Sequence, residues 1–370
     1  MQNILVFFGG KSVEHDVSII TGVMTLNTIK RSRFNAVPVY VDRRGKFYTG
    51  ESLFDLATYN KLNYKSLKEI TFKFGENKVY EVKNKRLKEL FSVKCAINCM
   101  HGGLGEDGSL AGLINFLDMP FCSPNVLSSS VCMDKAFTKI VVKGLNILSL
   151  PYVLVSSVED VEEKVKKLGY PLIVKPNKLG SSIGIQKVER EKDLFSAVSS
   201  ALRYGEKVII EPCLTFFTEI NCACYKDRLN KIIVSECEQP KGSKEVLSFS
   251  DKYEKGEREF PANIDEKLSN YIKKTTAKVY EALDLDGIIR VDYMIVDGKV
   301  YLNEINTVPG SLAYYLFCDT FSDFTVILQD LIEKAGFDKA RENSYNKDFS
   351  CSLLNYKGIK GAKRQNELKN

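Results

Sequence analysis

The first thirty residues contain the pattern that most restricts the fold. A short apolar run from Asn3 to Phe8 ends in Gly9-Gly10, and after a polar stretch apolar residues recur at helical spacing at Val17, Ile20 and Val23. A strand, a glycine-rich turn and a helix in this order are typical of α/β proteins with parallel sheets. The chain is therefore expected to begin with a parallel-sheet α/β domain.

Further strands and helices are predicted along the chain. The apolar segments 37–41 and 95–99 predict two more buried strands of the first domain, whereas the polar, lysine-rich residues 50–93 are interpreted as an excursion from it. A linker near Cys122 and a helix that begins near Asp134 start a second unit. Later strands are predicted at 152–155, 172–176, 208–211, 219–225 and 231–236, a hairpin at 288–305, and helices at 158–168, 265–283 and 324–335.

Composition limits the class of protein. The 370 residues allow two or three domains, and 44% hydrophobic with 27% charged residues is ordinary for a globular protein. No apolar run approaches the ~20 residues of a membrane span, and no signal peptide is recognised, so a cytoplasmic protein is expected. Ten cysteines without a CxxC pair and only two histidines argue against zinc. The basic tail, Lys357 to Lys369, is interpreted as a solvated end, so we expect no nucleic-acid or membrane partner.

The glycine-rich turn carries a candidate ligand contact. Gly10-Lys11-Ser12 resembles the end of a P-loop, but Leu5 stands where that motif requires its first glycine, so this is not a Walker A sequence. Glu14 lies between a strand end and a helix start, where open α/β sheets bind ligands. Its alternative is a first-turn carboxylate favoured by the helix dipole.

A second candidate site lies at the strand 172–176 and the loop after it. The loop, Leu179 to Ile185, contains two glycines and two serines, which suits a loop that covers phosphates. Lys175 stands in an otherwise apolar strand, where a lysine is costly to bury unless its ammonium meets an anion. The alternative is an edge-strand lysine whose ammonium reaches solvent.

The hairpin at 288–305 gathers oxygen ligands. Alternation places Glu304 with Asn306 on one face of a strand, and Arg290 with Asp292 on one face of its partner. A two-residue turn at Asp297-Gly298 would separate the two pairs, whereas a three-residue loop would pair Arg290 with Glu304. We favour the three-residue loop, which predicts a magnesium site at Asp292, Glu304 and Asn306. A solvent-facing charged hairpin is the alternative.

Several motifs together resemble those of the D-alanine–D-alanine ligase family. They occur in the family's order from Gly9 to Gly310 and cover most of the chain: GGKSVEHDVS at 9–18, HGGLGEDG at 101–108, MDK at 133–135, VKPNKLGSSIG at 174–184, DKY at 251–253, RVDYM at 290–294 and NEINTVPG at 303–310. The resemblance implies an α/β, three-domain ATP-grasp architecture. The implied boundaries are an N-terminal substrate domain at 1–124, a central ATP-grasp domain at 125–211, a C-terminal ATP-grasp domain at 212–345 and a basic tail at 346–370.

The resemblance also implies roles for individual residues. As ATP ligands it implies Lys135, Lys175, Ser181, Ser182, Glu211, Glu219 and Lys252, of which Glu211 and Glu219 are the hinge and ribose contacts. As substrate-binding residues it implies Glu14 and His101, with Tyr315 near the family's acceptor-binding serine. As catalytic residues it implies Glu14, Ser181, Tyr253, Arg290 and Gly310, and as magnesium ligands Asp292, Glu304 and Asn306.

The activity that this resemblance implies is the ATP-dependent joining of two D-alanines through an acyl phosphate, for peptidoglycan precursor synthesis. The expected cofactors are ATP and two Mg²⁺ ions, with Mn²⁺ as a substitute, and the expected partners are small molecules and a second copy of the chain. Two departures from the family pattern concern the second substrate and the adenine hinge. SLAYYLF replaces the usual threonine and serine after Gly310, and TFFTE at 215–219, which ends in Glu219, replaces the usual GRE-like segment.

Three alternatives to this activity are open. A ligase of another carboxylate and amine, such as one that uses D-serine as acceptor, is the main one, although Lys252-Tyr253 favours a D-amino acid over D-lactate. A non-enzymatic binding module is disfavoured because Lys135, Lys175 and the three predicted metal ligands are all retained. A carboxylase of the same superfamily would need a biotin-linked context that the sequence lacks.

Overall fold

The computed structural model describes residues 1–241 and 258–349. Lys252, Tyr253 and most of the basic tail lie outside the described residues, so their predicted roles stay predictions. No helix within the described residues has the length and apolar character needed to cross a membrane.

An eight-stranded mixed sheet forms the N-terminal part. Its strands are β1 (Asn3–Gly9), β2 (Asn35–Val41), β3 (Phe47–Thr49), β4 (Lys68–Thr71), β5 (Lys78–Lys83), β6 (Arg86–Ser92), β7 (Cys95–Asn98) and β8 (Phe121–Cys122). They lie in the order β6-β5-β4-β3-β2-β1-β7-β8. Strands β2, β1, β7 and β8 are parallel, as the sequence predicts, whereas β3 to β6 are antiparallel.

The interpretation of residues 50–93 as an excursion is wrong. Strands β4, β5 and β6 extend the same sheet, and Ile70, Val79 and Tyr80 are buried within it. Lysines flank these buried residues, as Lys68 and Lys78 do, because an antiparallel sheet can expose part of its surface to water. The high average polarity of the segment therefore hides these strands.

Eight α-helices complete the described chain. They are α1 (His15–Ile29), α2 (Ser109–Phe116), α3 (Val126–Met133), α4 (Lys135–Gly144), α5 (Val161–Val165), α6 (Glu191–Ala201), α7 (Glu266–Ala282) and α8 (Phe321–Ser344). Asn125, Asp134, Asp265 and Thr320 begin α3, α4, α7 and α8, and each side chain accepts a hydrogen bond from a first-turn amide. Helix α5 is shorter than the predicted 158–168, and α8 is longer than the predicted 324–335.

A four-stranded antiparallel sheet forms the central part. It consists of β9 (Val153–Val155), β10 (Leu172–Pro176), β11 (Gln186–Val188) and β12 (Val208–Pro212), in the order β11-β10-β12-β9. Leu172 and Val174 face a core with Leu194 and Val198 of α6. Lys175 therefore faces the opposite side of an interior strand, which excludes the edge-strand alternative for this lysine.

A second four-stranded antiparallel sheet forms the C-terminal part. It consists of β13 (Thr218–Lys226), β14 (Ile232–Val234), β17 (Ile289–Val296) and β18 (Lys299–Asn306), in the order β14-β13-β17-β18, and the short strands β15 (Gln239–Pro240) and β16 (Arg258–Glu259) pair beside it. Ile272, Val279 and Tyr280 of α7 pack against the core face of this sheet, which includes Val291 and Tyr293. The opposite face of this sheet lines the cavities of the candidate active site.

Candidate active site

Two adjoining cavities contain most of the predicted site residues. The first, here called the lysine cavity, is lined by Lys135, Lys175, Ser181, Ser182, Glu211, Glu219 and Glu304, among others. The second, the arginine cavity, is lined by Glu14, His101, Glu106, Glu238, Arg258, Arg290, Asn306, Gly310 and Tyr315, among others. Ser181, Glu219 and Glu304 line both cavities. The two therefore adjoin, and residues distant in sequence face a common space.

The lysine cavity contains a buried triad of charges. Lys175 Nζ lies 2.6 Å from Glu211 Oε2, and Lys139 Nζ lies 2.5 Å from Glu211 Oε1. All three residues are buried. Burial by itself would raise the pKa of Glu211, but the charges of Lys175 and Lys139 hold that pKa below its ordinary value. Of the two lysines that share this carboxylate, Lys175 lines the cavity, whereas burial lowers the pKa of Lys139.

Lys135 lies at the opposite wall of the lysine cavity. It is the first residue of α4, and its backbone amide donates to the Asn177 carbonyl, which ties α4 to the end of β10. Its Nζ donates to the Leu179 carbonyl at 2.7 Å and lies 3.6 Å from Glu304 Oε2. Lys135 thus lies between the C-terminal hairpin and the loop 179–185, here called the serine loop.

The serine loop joins the central and N-terminal parts. Ser181 and Ser182 have φ values of 52° and 58°, in the left-handed region that non-glycine residues seldom occupy. Strain of this kind is concentrated at functional sites. The Ser181 hydroxyl donates a hydrogen bond to Glu14 Oε1. Glu14 is buried and directly precedes α1, so this contact brings together two residues to which the resemblance assigns catalytic roles.

The HGGLGEDG segment contributes two titratable groups. His101 is buried, and its Nε2 lies 2.9 Å from Thr21 Oγ1. Burial, and secondly the charge of Arg290, lowers the pKa of His101 to about 4, so its ring is neutral near pH 7. Glu106 accepts a hydrogen bond from the Gly102 amide. Burial, and secondly the charge of Glu14, raises the pKa of Glu106 to about 8, so its carboxyl group keeps a proton near neutral pH.

The turn of the C-terminal hairpin differs from the favoured prediction. Val296 pairs with Lys299, so Asp297 and Gly298 form a two-residue turn, and their φ values of 48° and 73° suit that turn. The prediction of a three-residue loop that pairs Arg290 with Glu304 is wrong. A β-bulge instead shifts the register, because Tyr293 pairs with Leu302 while Asp292 pairs with Glu304.

Asn303 is the extra residue at this bulge. Because of it, the predicted site residues of both strands lie on one face of the sheet although the turn has two residues. Arg290 pairs with Asn306, so both pairs of predicted residues point to the cavity side of the sheet. Leu302 remains on the core face opposite Tyr293. Asn303 itself lines the lysine cavity.

Asp292 is the most buried of the three predicted magnesium ligands. Arg290 donates to its two oxygens from Nε at 2.7 Å and Nη2 at 2.8 Å, and Asn306 Nδ2 donates to Oδ2 at 3.0 Å. Among the described residues no group of three or more His, Cys, Asp or Glu is arranged to hold a metal. Two carboxylates and an amide nevertheless fit Mg²⁺, which uses few protein ligands together with substrate phosphates.

Arg290 connects this carboxylate face to Tyr315. Its Nη1 donates to Tyr315 Oη at 3.3 Å, and burial raises the pKa of that phenol. Gly310 and Ser311 line the same cavity, and the Ser311 amide donates to Thr21 Oγ1 at 3.0 Å. The segment after Pro309 is thereby attached to α1.

The sequence interpretation missed five residues of the site. Lys139, Glu106, Asn221, Glu238 and Arg258 line the cavities or bond to their lining residues. Asn221 could have been found, because it follows Glu219 by two on the same strand and pairs with Asp292. Lys139 could not, because a lysine inside a helix carries no local sign of its partner.

Two family models cover most of the chain. The model described as "D-ala D-ala ligase N-terminus" matches residues 3–124, and the one described as "D-ala D-ala ligase C-terminus" matches residues 141–335. The chain belongs to the D-alanine–D-alanine ligase family. Relatives so named include that of Thermosipho melanesiensis, 37% identical over 347 residues, which make up 90% of this chain and 93% of the relative.

Solved structures support the same D-alanine–D-alanine ligase fold. The D-alanine–D-alanine ligase of Coxiella burnetii superposes with a TM-score of 0.79 at 25% identity, covering 92% of this chain and 96% of that one. The VanG D-Ala:D-Ser ligase of Enterococcus faecalis superposes with a TM-score of 0.76 at 26% identity, covering 90% and 99%. The predicted ATP-grasp fold and ligase class are therefore confirmed, whereas the domain boundaries stay a prediction.

Proposed function

We propose that this protein joins two D-alanine molecules to D-alanyl-D-alanine, with cleavage of ATP to ADP and phosphate, for peptidoglycan precursor synthesis. The observation that supports this most strongly is the junction of the two cavities. Lys135 and Lys175 in the lysine cavity suit the oxygens of a triphosphate, and the arginine cavity suits two amino acids beside it. Glu304 and Ser181 lie at the junction, where a carboxylate would meet the γ-phosphate.

ATP would bind in the lysine cavity. Lys135 and Lys175 would neutralise phosphate oxygens, and the Ser181–Ser182 backbone would cover them. Glu219 lines both cavities and would meet the ribose, while Glu211 would fix Lys175 through their 2.6 Å ion pair. Asp292, Glu304 and Asn306 would hold two Mg²⁺ ions or Mn²⁺, which when bound neutralise charge on the transferring phosphoryl group.

The first D-alanine would bind with its ammonium at Glu14. His101 stays neutral near pH 7, so it can contact this amino acid without adding a charge. The donor carboxylate oxygen attacks the γ-phosphorus, the bond to the β-γ bridging oxygen breaks, and ADP leaves an acyl phosphate.

The second amino acid would complete the reaction. Its neutral amine attacks the acyl carbon, the carbon–oxygen bond to phosphate breaks, and the amine loses a proton as the peptide forms. Arg290 and the Gly310 N–H would stabilise the oxyanion of the tetrahedral intermediate. Tyr253 and Lys252 keep their proposed roles, although both lie outside the described residues.

D-serine is the second candidate acceptor. Tyr315 occupies the cavity where the family usually has a serine, and one structural relative is named a D-Ala:D-Ser ligase. The main proposal keeps D-alanine because relatives of higher identity are named for it alone.

One assay tests these proposals. The protein is incubated with magnesium-ATP and single or paired D-amino acids, and dipeptides are identified by mass while phosphate is measured. D-alanyl-D-alanine with one phosphate per peptide is expected. Preferential formation of D-alanyl-D-serine would favour the second candidate, and phosphate release without any dipeptide would contradict both. Homodimer formation, a further proposal from the family, is tested by light scattering of the purified protein.

A further inference from the structure

A second arginine, Arg258, forms the wall of the arginine cavity beside Tyr315. Its guanidinium lies over the Tyr315 ring, 4.7 Å from the ring centroid. Its Nη1 donates to Glu238 Oε1 at 3.2 Å and to the Tyr315 carbonyl at 3.3 Å. An arginine stacked on an aromatic ring is already oriented, so it loses less entropy when it binds a carboxylate.

Glu238 holds this guanidinium in place. It is buried, and its second oxygen, Oε2, accepts a hydrogen bond from Asn221 Nδ2 at 3.2 Å. Among the described residues, Arg258 donates hydrogen bonds from Nη1 alone. Its Nη2 and Nε therefore remain able to bind the two oxygens of a carboxylate.

Charged groups of both signs line the arginine cavity. Glu14 accepts a hydrogen bond from Ser181, and an ammonium group would be bound there. Arg258 stacks on Tyr315, and Tyr315 also contacts Arg290. Arg290 already donates two hydrogen bonds to Asp292. Lys241, which also lines this cavity, is half exposed and lies 3.7 Å from Glu259.

We propose that Arg258 binds the α-carboxylate of the second amino acid and thereby selects an acceptor with a free carboxylate. This inference rests on the proposed function. The acceptor's carboxyl carbon is two bonds from the amine that attacks the acyl carbon near Arg290. Tyr315 contacts both arginines, so an acceptor whose amine lies near Arg290 would have its carboxylate on the same side of the cavity as Arg258.

Competition between two acceptors tests the assignment. D-alanine and D-alanine amide both offer an amine, but the amide has no carboxylate, so the ratio of their products measures carboxylate recognition. Arg258→Ala should lower the preference for D-alanine about 10- to 100-fold, the range of a lost charge-assisted hydrogen-bond pair. Arg258→Lys should keep part of the preference, because it keeps the charge without the planar fork.

A partial reaction separates this role from a structural one. Hydroxylamine traps the acyl phosphate as a hydroxamate without using the acceptor, so Arg258→Ala should form hydroxamate at the rate of the unchanged protein. Arg228→Ala, which removes a half-exposed arginine paired with Asp330 and Glu333, is the control and should leave the product ratio unchanged.

Three results would overturn the assignment. These are an unchanged product ratio in Arg258→Ala, a hydroxamate rate that falls in parallel with dipeptide formation, and a loss of preference in Lys241→Ala without one in Arg258→Ala. If the unchanged protein makes neither dipeptide nor hydroxamate, the proposed function itself fails. If Arg258→Ala forms dipeptide with unaltered selectivity, only the role of Arg258 is refuted and the proposed function stands.

Discussion

Lys175 is needed by the proposed chemistry and by the fold. Lys175→Ala should abolish ATP-dependent phosphate release, and it should also lower the free energy of unfolding by about 2–4 kcal/mol because Glu211 loses one of its two buried cations. Chemical denaturation and a phosphate assay measure the two effects. Adding Glu211→Gln should recover part of the stability but none of the activity. Recovery of activity in the double variant would contradict the proposed role of Lys175.

Glu106 should make stability depend on pH. Its pKa is about 8 in the folded protein and 4.5 ordinarily, so between these values the folded chain keeps a proton that the unfolded chain has lost. Stability should therefore fall as the pH rises through this window, and Glu106→Gln should reduce the fall. Melting temperatures measured above about pH 6.5 avoid the opposite effect of His101, whose lowered pKa reduces stability only at more acid pH.

The control for Glu106 is Glu162→Gln, which changes an exposed glutamate of α5. This variant should follow the pH dependence of the unchanged protein. An identical slope in Glu106→Gln and the unchanged protein would show that Glu106 is ionised in the folded state throughout this range.

At the scale of elements, the turn at Asp297-Gly298 sets the register of the hairpin. Gly298 has a φ of 73°, and a Cβ added there would meet nothing within 4 Å. Gly298→Ala should therefore destabilise the protein by about 1 kcal/mol through backbone conformation alone. Gly144, at the end of α4, also has open space but no positive φ, so Gly144→Ala should be neutral or stabilising.

Urea denaturation of these two glycine variants measures the difference. Equal effects at Gly298 and Gly144 would mean that the turn conformation does not contribute to stability. Phosphate release should persist in both, because neither glycine lines the lysine cavity or the arginine cavity.

At the scale of the whole molecule, α8 belongs to the core of the N-terminal part. Phe324, Leu328 and Ile332 lie in one buried cluster with Leu26 and Ile29 of α1, although almost 300 residues separate the two helices. The N-terminal part is thus completed by the last helix of the described chain.

Phe324→Ala should therefore weaken α1. We expect a loss of about 3–5 kcal/mol, the usual cost of such a cavity, and faster hydrogen exchange at the amides of α1. Phe337→Ala changes an exposed phenylalanine on the same helix and should have little effect. Unaltered exchange in α1 of Phe324→Ala would show that the two helices unfold independently.

Local sequence determined most of the elements and the chemical types in the site. Strand β10 with Lys175, the serine loop and the alternation of Asp292, Glu304 and Asn306 depend on neighbours in sequence, so they could be predicted. The polar strands β4 to β6 were missed because charged residues outnumber buried apolar ones in each of them. The predicted hairpin turn was wrong because a bulge at Asn303 places the site residues on the same face as a longer loop would.

Tertiary structure alone decided which charges meet. The pairing of Glu211 with Lys139 and Lys175, the stacking of Arg258 on Tyr315 and the packing of α8 on α1 join residues far apart in sequence. Burial and neighbouring charges, which no short motif specifies, also set the opposite pKa shifts of His101 and Glu106. The sequence determined the groups that the site contains, and the fold determined their partners because electrostatic energy depends on distance and burial.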